Sequence, residues 1–190
     1  MLRVVSLPLE SNPHMPDAQH QSLSDEALWA EYVDGSDAAF DEVRRRYQEP
    51  LFRYLLLSGT ELRTASQALG QILCHASLHR RRLEGFDSLK GWLFAIATQQ
   101  AVPAHVPEQE GLMDFISQMK RGEPTSPEDN LRRALFDVRR DLRQPFLLVA
   151  VFGLSIAQAA RACRFPPDQT AHKLKRAYRE ISAAVPRLKE

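Results

Sequence analysis

The pair Pro166-Pro167 constrains this chain more than any other feature, because it separates two stretches that each repeat apolar residues every three or four positions. Proline kinks or breaks a helix beyond its first turn, so the pair is expected to end one helix and begin the next. Upstream, Ser155 is a helix-capping residue, followed by Ile156, Ala159, Ala160 and Cys163, and the turn runs through Arg164, Phe165, Pro166 and Pro167. Downstream, Leu174, Ala177, Tyr178, Ile181 and Val185 form one apolar stripe, and Asp168 is expected to cap the helix that carries it. His172, Lys173, Lys175, Arg176 and Arg179 fall on the opposite side. This is a helix-turn-helix pattern whose second helix is expected to read DNA.

The formal net charge of +1 hides two opposed parts. Residues 131–190 hold 13 Lys and Arg against 5 Asp and Glu, a net of +8, and residues 1–130 hold 12 against 19, a net of −7. A basic C-terminal part is suited to phosphate, since each neutralised phosphate releases counterions. The acidic part is suited to a basic or protein partner, and the two parts could also attract one another. Cys74 and Cys163 sit singly in helical patterns, which predicts buried thiols in a reducing cytoplasm. Cys74, His75 and His79 lack the fourth group of a zinc site, so no metal or other cofactor is expected. No nucleophile with a base and no paired carboxylates emerge, so no enzyme activity is expected. The apolar start is too short for a signal peptide and is broken at Pro8; with no membrane-length apolar run after it, a cytoplasmic chain without membrane insertion is expected.

Along the chain the pattern is helical throughout, and no strand alternation survives. Residues 1–22, with Pro8, Pro13 and Pro16, read as an extension that is loose or folds back on the body. Residues 23–101 form a first helical domain, with caps at Ser24 and Ser88 and a helix from Asp37 that Pro50 should kink or split. Residues 102–127, rich in proline, read as a flexible linker with an apolar island at Leu112, Met113, Phe115, Ile116 and Met119. Residues 128–190 form a second domain, in which Leu131, Ala134, Leu135 and Val138 make one apolar face and Phe146, Leu147, Ala150 and Val151 another. Pro145 is expected near a helix start there. The fold class is therefore all-α: two small helical domains joined by a linker, the second with the helix-turn-helix.

Three blocks give this arrangement a family likeness. Leu28, Tyr32, Gly35, Ala39, Phe40, Arg46, Tyr47 and Leu51 keep one spacing, Trp92, Leu93, Ile96 and Ala97 a second, and Gly153 to Ala177 a third. In that order they resemble the extracytoplasmic-function sigma factors of bacterial RNA polymerase. The resemblance implies core RNA polymerase and promoter DNA as partners, with an anti-sigma factor as a regulator. It implies that Gln169, Thr170, His172 and Lys173 approach base edges while Lys175, Arg176 and Arg179 favour phosphate. Leu83, Glu84, Gly85, Phe86, Asp87 and Ser88 would form the promoter-melting loop that holds an extruded base. Ser66, Gln67 and Gln71 would lie on the polymerase-binding helix, where the family's acidic residues are replaced by the neutral run Ala65 to Leu73. Pro103 ends the Trp92 helix before the family's basic extension. The alternative function is a sigma-like protein that binds a regulator without supporting initiation.

Overall fold

The computed structural model describes residues 18–81, 86–101 and 133–184. The calls on the apolar island, Leu131, Val185 and most of the N-terminal extension lie outside them. The described residues are all-helical, with no strand among them. Helix α1 is Ala18–Ser22, α2 Asp25–Val33, α3 Asp37–Leu57, α4 Leu62–Leu78 and α5 Leu89–Gln100. A helical segment at 133–137 precedes α6, Arg140–Phe146, which widens into a π turn over Leu147–Val151. Helices α7, Ile156–Cys163, and α8, Pro167–Ala184, complete the order. No described helix is long and apolar enough to cross a membrane.

Serine caps fix four of the helix starts. Ser24, Ser36, Ser88 and Ser155 each accept a hydrogen bond from the backbone N–H three residues on, which satisfies a donor that the first turn leaves open. Gly35, at φ 112°, makes the reversal between α2 and α3 that a side chain would resist. Of the two outcomes expected at Pro50, splitting does not occur: α3 runs as one helix around it. Residues 18–22, the described part of the extension, fold back on the body, the second of the two expected arrangements: Arg46 donates to the carbonyls of His20 and Gln21 and holds α1 against α3.

The first group of helices packs around Leu28, Val43, Leu51, Leu55, Ile72, Trp92 and Leu93, all inaccessible to solvent. Helix α3 also buries a carboxylate. Glu42 is 1% exposed and pairs with Arg45 Nε at 2.7 Å and Arg46 Nε at 2.8 Å. Hydrogen bonding from Arg45, followed by that from Arg46 and the charges of both, outweighs burial and pulls its pKa down to about 2. Arg46 reaches on to Asp25, which also accepts from the Tyr47 hydroxyl, so one network ties α1, α2 and α3.

The second group departs from its sequence pattern around the π turn. Pro145 lies inside α6, five residues beyond its start, and not at the start as expected. The turn that follows is spaced by five, with Phe152 N–H donating to the Leu147 carbonyl. That spacing turns Leu147, Leu148 and Phe152 inward and leaves Ala150 and Val151 exposed, reversing the expected burial of the last two. Cys74 is likewise exposed, on the outer side of α4, while Cys163 is half-buried and burial pushes its thiol up to about 12.

The two groups share one apolar cluster. Helix α5 packs along α7, and the rings of Phe94 and Phe152 lie 4.9 Å apart across the junction, with Tyr54 edge-on to both. Polar contacts cross it as well: Arg143 donates to the Ser58 carbonyl, Arg140 to the Ala101 carbonyl and Gln158 to the Ser88 hydroxyl.

Candidate nucleic-acid interface

The helix-turn-helix is built from the residues that suggested it. Ser155 and Gln158 form a reciprocal capping box at the start of α7, side chain to backbone in both directions. The helix ends on Arg164 in the left-handed region, φ 57° and ψ 39°. There the N–H of Phe165 donates to the Ala160 carbonyl, closing the helix end as a glycine would. Pro167 opens α8, and the Thr170 N–H donates to the Pro166 carbonyl. Asp168 is thus not the cap. It lies exposed in the first turn, where its charge still suits the positive end of the helix.

The reading-helix residues divide into two sets. Gln169, His172, Lys175, Arg176 and Arg179 are exposed, and their spacing puts them on one outward side of α8. Arg176 pairs with Glu180 at 2.8 Å on that exposed side, a contact that a phosphate could displace. Thr170 and Lys173 face the other way. Thr170 is fully buried and its hydroxyl donates to the Pro166 carbonyl, so it cannot approach a base edge in this conformation. Lys173 lies over the Phe165 ring at 4.7 Å and pairs with Asp141 of α6 at 2.6 Å. Hydrogen bonding from Lys173 holds the Asp141 carboxyl below the usual range, and the pair ties α8 to α6. Tyr178, expected in the buried stripe, is 60% exposed, while Ala177 and Ile181 fill it.

The other two candidate sites lie on the first group. Leu83, Glu84 and Gly85 of the melting loop lie outside the described residues. Phe86 sits half-buried beneath the Arg161 guanidinium at 5.3 Å, Asp87 is exposed, and Ser88 caps α5. Ser66, Gln67 and Gln71 are exposed on α4 next to Gly70 and Cys74, a side without a carboxylate between Ser66 and Cys74. The Ser66 hydroxyl bonds back to the Leu62 carbonyl. The rings of His75 and His79 lie 4.3 Å apart, but no cluster of three metal-ligating side chains occurs among the described residues.

Sequence reasoning missed Gln158. Its position three residues after Ser155 is a readable capping-box signal, yet its side-chain amide also donates to Ser88 at 2.8 Å, seventy positions away. Arg164, read only as part of the turn, has an exposed side chain that adds a cation at its mouth.

No protein-family model matches the chain, and no curated protein matches it in sequence. Solved structures do match in shape. One is CnrH in complex with the cytosolic domain of CnrY, with a TM-score of 0.63 and 17% identity, over 84% of this chain and 95% of that one. Another is the sigma factor RpoE in complex with the anti-sigma factor NepR from Bartonella quintana, with a TM-score of 0.58 and 17% identity, over 79% of this chain and 98% of that one. At this identity the likeness is one of fold, and the fold is sigma-like.

Proposed function

We propose that this chain is a sigma-type initiation subunit of RNA polymerase, working in the cytoplasm, that reads duplex promoter DNA through the exposed side of α8. The observation that carries the reading is the outward set Gln169, His172, Lys175, Arg176 and Arg179 on the second helix of a capped helix-turn-helix. In this reading the cations hold phosphates while Gln169 and His172, nearer the helix start, reach toward base edges. Residues 23–101 would engage the polymerase and the melted strand, and residues 128–190 the duplex. The test is promoter-dependent RNA synthesis with and without core polymerase, using promoters selected by binding. No transcript from any bound duplex would sink the reading.

A second reading is favoured by α4 and α5. The outer side of α4 offers no carboxylate from Ser66 to Cys74, and α5 is covered by α7. A sigma-like protein that holds an anti-sigma factor without supporting initiation needs neither surface free. The RpoE structure contains an anti-sigma factor, so a partner of that kind suits the fold. Co-elution with core polymerase separates the two readings: the first requires a stable complex, the second does not.

A further inference from the structure

Where α2, α3, α5 and the π turn meet, the surface sinks into a cleft of about 390 Å³, a size in the range of small-ligand sites. Two irregular stretches of helix shape it. Pro50, inside α3, has no N–H to give the Arg46 carbonyl four residues back, and both residues line the cleft. The π turn over Leu147–Val151 leaves Val151 45% exposed, so an apolar side chain forms part of the wall. Single wide turns of this kind recur at functional sites. Phe152 lines the cleft next to it, backed by the buried ring of Phe94 at 4.9 Å.

The charged groups along the cleft are not equally occupied. Arg46 spends its guanidinium on Glu42, on Asp25 and on the carbonyls of His20 and Gln21. Asp25 takes Arg46 on one oxygen and the Tyr47 hydroxyl on the other. Burial, followed by that bond, pushes the Tyr47 hydroxyl above its ordinary range, so it stays protonated and remains the donor to Asp25. Lys90 is different. It lines the same cleft, yet it makes no hydrogen bond or ion pair with a described residue. Its side chain is half-buried, with Nζ 3.7 Å from where a Cβ on Gly153 would stand. An ammonium held there, partly out of water and without an acid, attracts an anion more strongly than an exposed one does.

We propose that this cleft binds a small amphipathic anion, its aromatic body against Pro50, Val151 and Phe152 and its carboxylate or phosphate group on the Lys90 ammonium. The apolar wall favours the body, and Lys90 fixes the orientation of the head. Asp25 rejects a second anionic group at the other end. The site uses no residue of α8 and stands whether or not the chain reads a promoter.

The experiment is titration calorimetry on the full chain without DNA, with naphthoate, naphthyl phosphate, neutral naphthamide and inorganic phosphate as probes. At least one aromatic anion should bind with a Kd below about 1 mM, and about tenfold more tightly than the amide or inorganic phosphate, because the site needs both head and body. Tighter binding of naphthoate identifies the natural head as a carboxylate, and tighter binding of naphthyl phosphate identifies it as a phosphate ester; either supports the site. Lys90→Met keeps the apolar stem without the charge, and should weaken the anion by about tenfold while leaving the amide unchanged. Val151→Glu, at an exposed position, offers Lys90 an internal carboxylate and should abolish anion binding with helical circular dichroism intact. The bound anion should also raise the thermal midpoint of the parent chain more than that of either variant. Equal binding of the anion to the parent and to Lys90→Met or Val151→Glu, equal binding of the anion and the amide, or no binding of either anion at about 1 mM overturns the site.

Discussion

Glu42 shows how one side chain sets the acid limit of the first helical group. A carboxylate this enclosed is tolerated because two guanidiniums saturate it, and Arg46 is shared with Asp25 and the carbonyls of α1. Its pKa lies at about 2 when folded against an ordinary 4.5, so the unfolded chain binds the proton more readily. The stabilisation is therefore complete above about 4.5 and is lost as pH falls from there through about 2. Glu42→Gln should cost about 2 kcal/mol at neutral pH, and its urea midpoint should converge on that of the parent chain across that acid window. Parallel midpoints down to the acid limit would show that the carboxylate is not the group responsible. Lys173 makes a contrasting case, since it points at Asp141 and not at solvent. Lys173→Met should lower stability by about 1 kcal/mol while leaving the salt dependence of duplex binding unchanged. Lys175→Ala with Arg179→Ala should leave stability alone and reduce that salt slope by about 2.

Among the elements, those whose cause is local were legible in the chain. The starts at Ser24, Ser88 and Ser155, the stop at Gly35 and the turn before Pro167 follow from capping and proline chemistry within four or five residues. The π turn after Pro145 was not legible, because a wide turn is chosen by the packing of Leu147 and Phe152 and leaves no mark in the three-to-four repeat. For the same reason Lys173 read as a surface residue in a basic run and Thr170, by resemblance, as a base-reading one, although α6 and the turn draw them inward. The outward residues of α8 were legible because a basic run opposite an apolar stripe needs no tertiary partner to define it. Arg164 marks the limit of the local rules. It holds a left-handed conformation that costs a side chain about 1 kcal/mol and that glycine adopts freely. Arg164→Gly should raise stability by about 0.5 kcal/mol, after the greater freedom of glycine in the unfolded chain is subtracted. A lower thermal midpoint in that variant would mean that the Arg164 side chain contributes more than its backbone costs.

At the scale of the whole molecule, the decisive fact is that the helices before and after residues 102–132 fill one another's core. Trp92 and Phe94 of α5 are fully buried, and Phe94 meets Phe152 from the other side of that gap in sequence. The periodicity on each side reports which residues seek burial and not which partner buries them. With the core shared, unfolding one group exposes the apolar side of the other, which couples their stabilities. Tryptophan fluorescence reports the first group alone, since Trp29 and Trp92 both lie there, whereas far-ultraviolet circular dichroism reports all the helices. The two signals should therefore follow a single urea transition, and Gly91→Leu, whose side chain would need space that Gln158 of α7 occupies, should separate them into two by loosening α7 from α5. Coincident curves in that variant would mean that contacts outside the packing of α5 on α7, such as Arg143 on the Ser58 carbonyl, are enough to keep the groups coupled. An early loss of ellipticity before the fluorescence changes in the parent chain would instead mean that the helices of residues 133–184 melt alone.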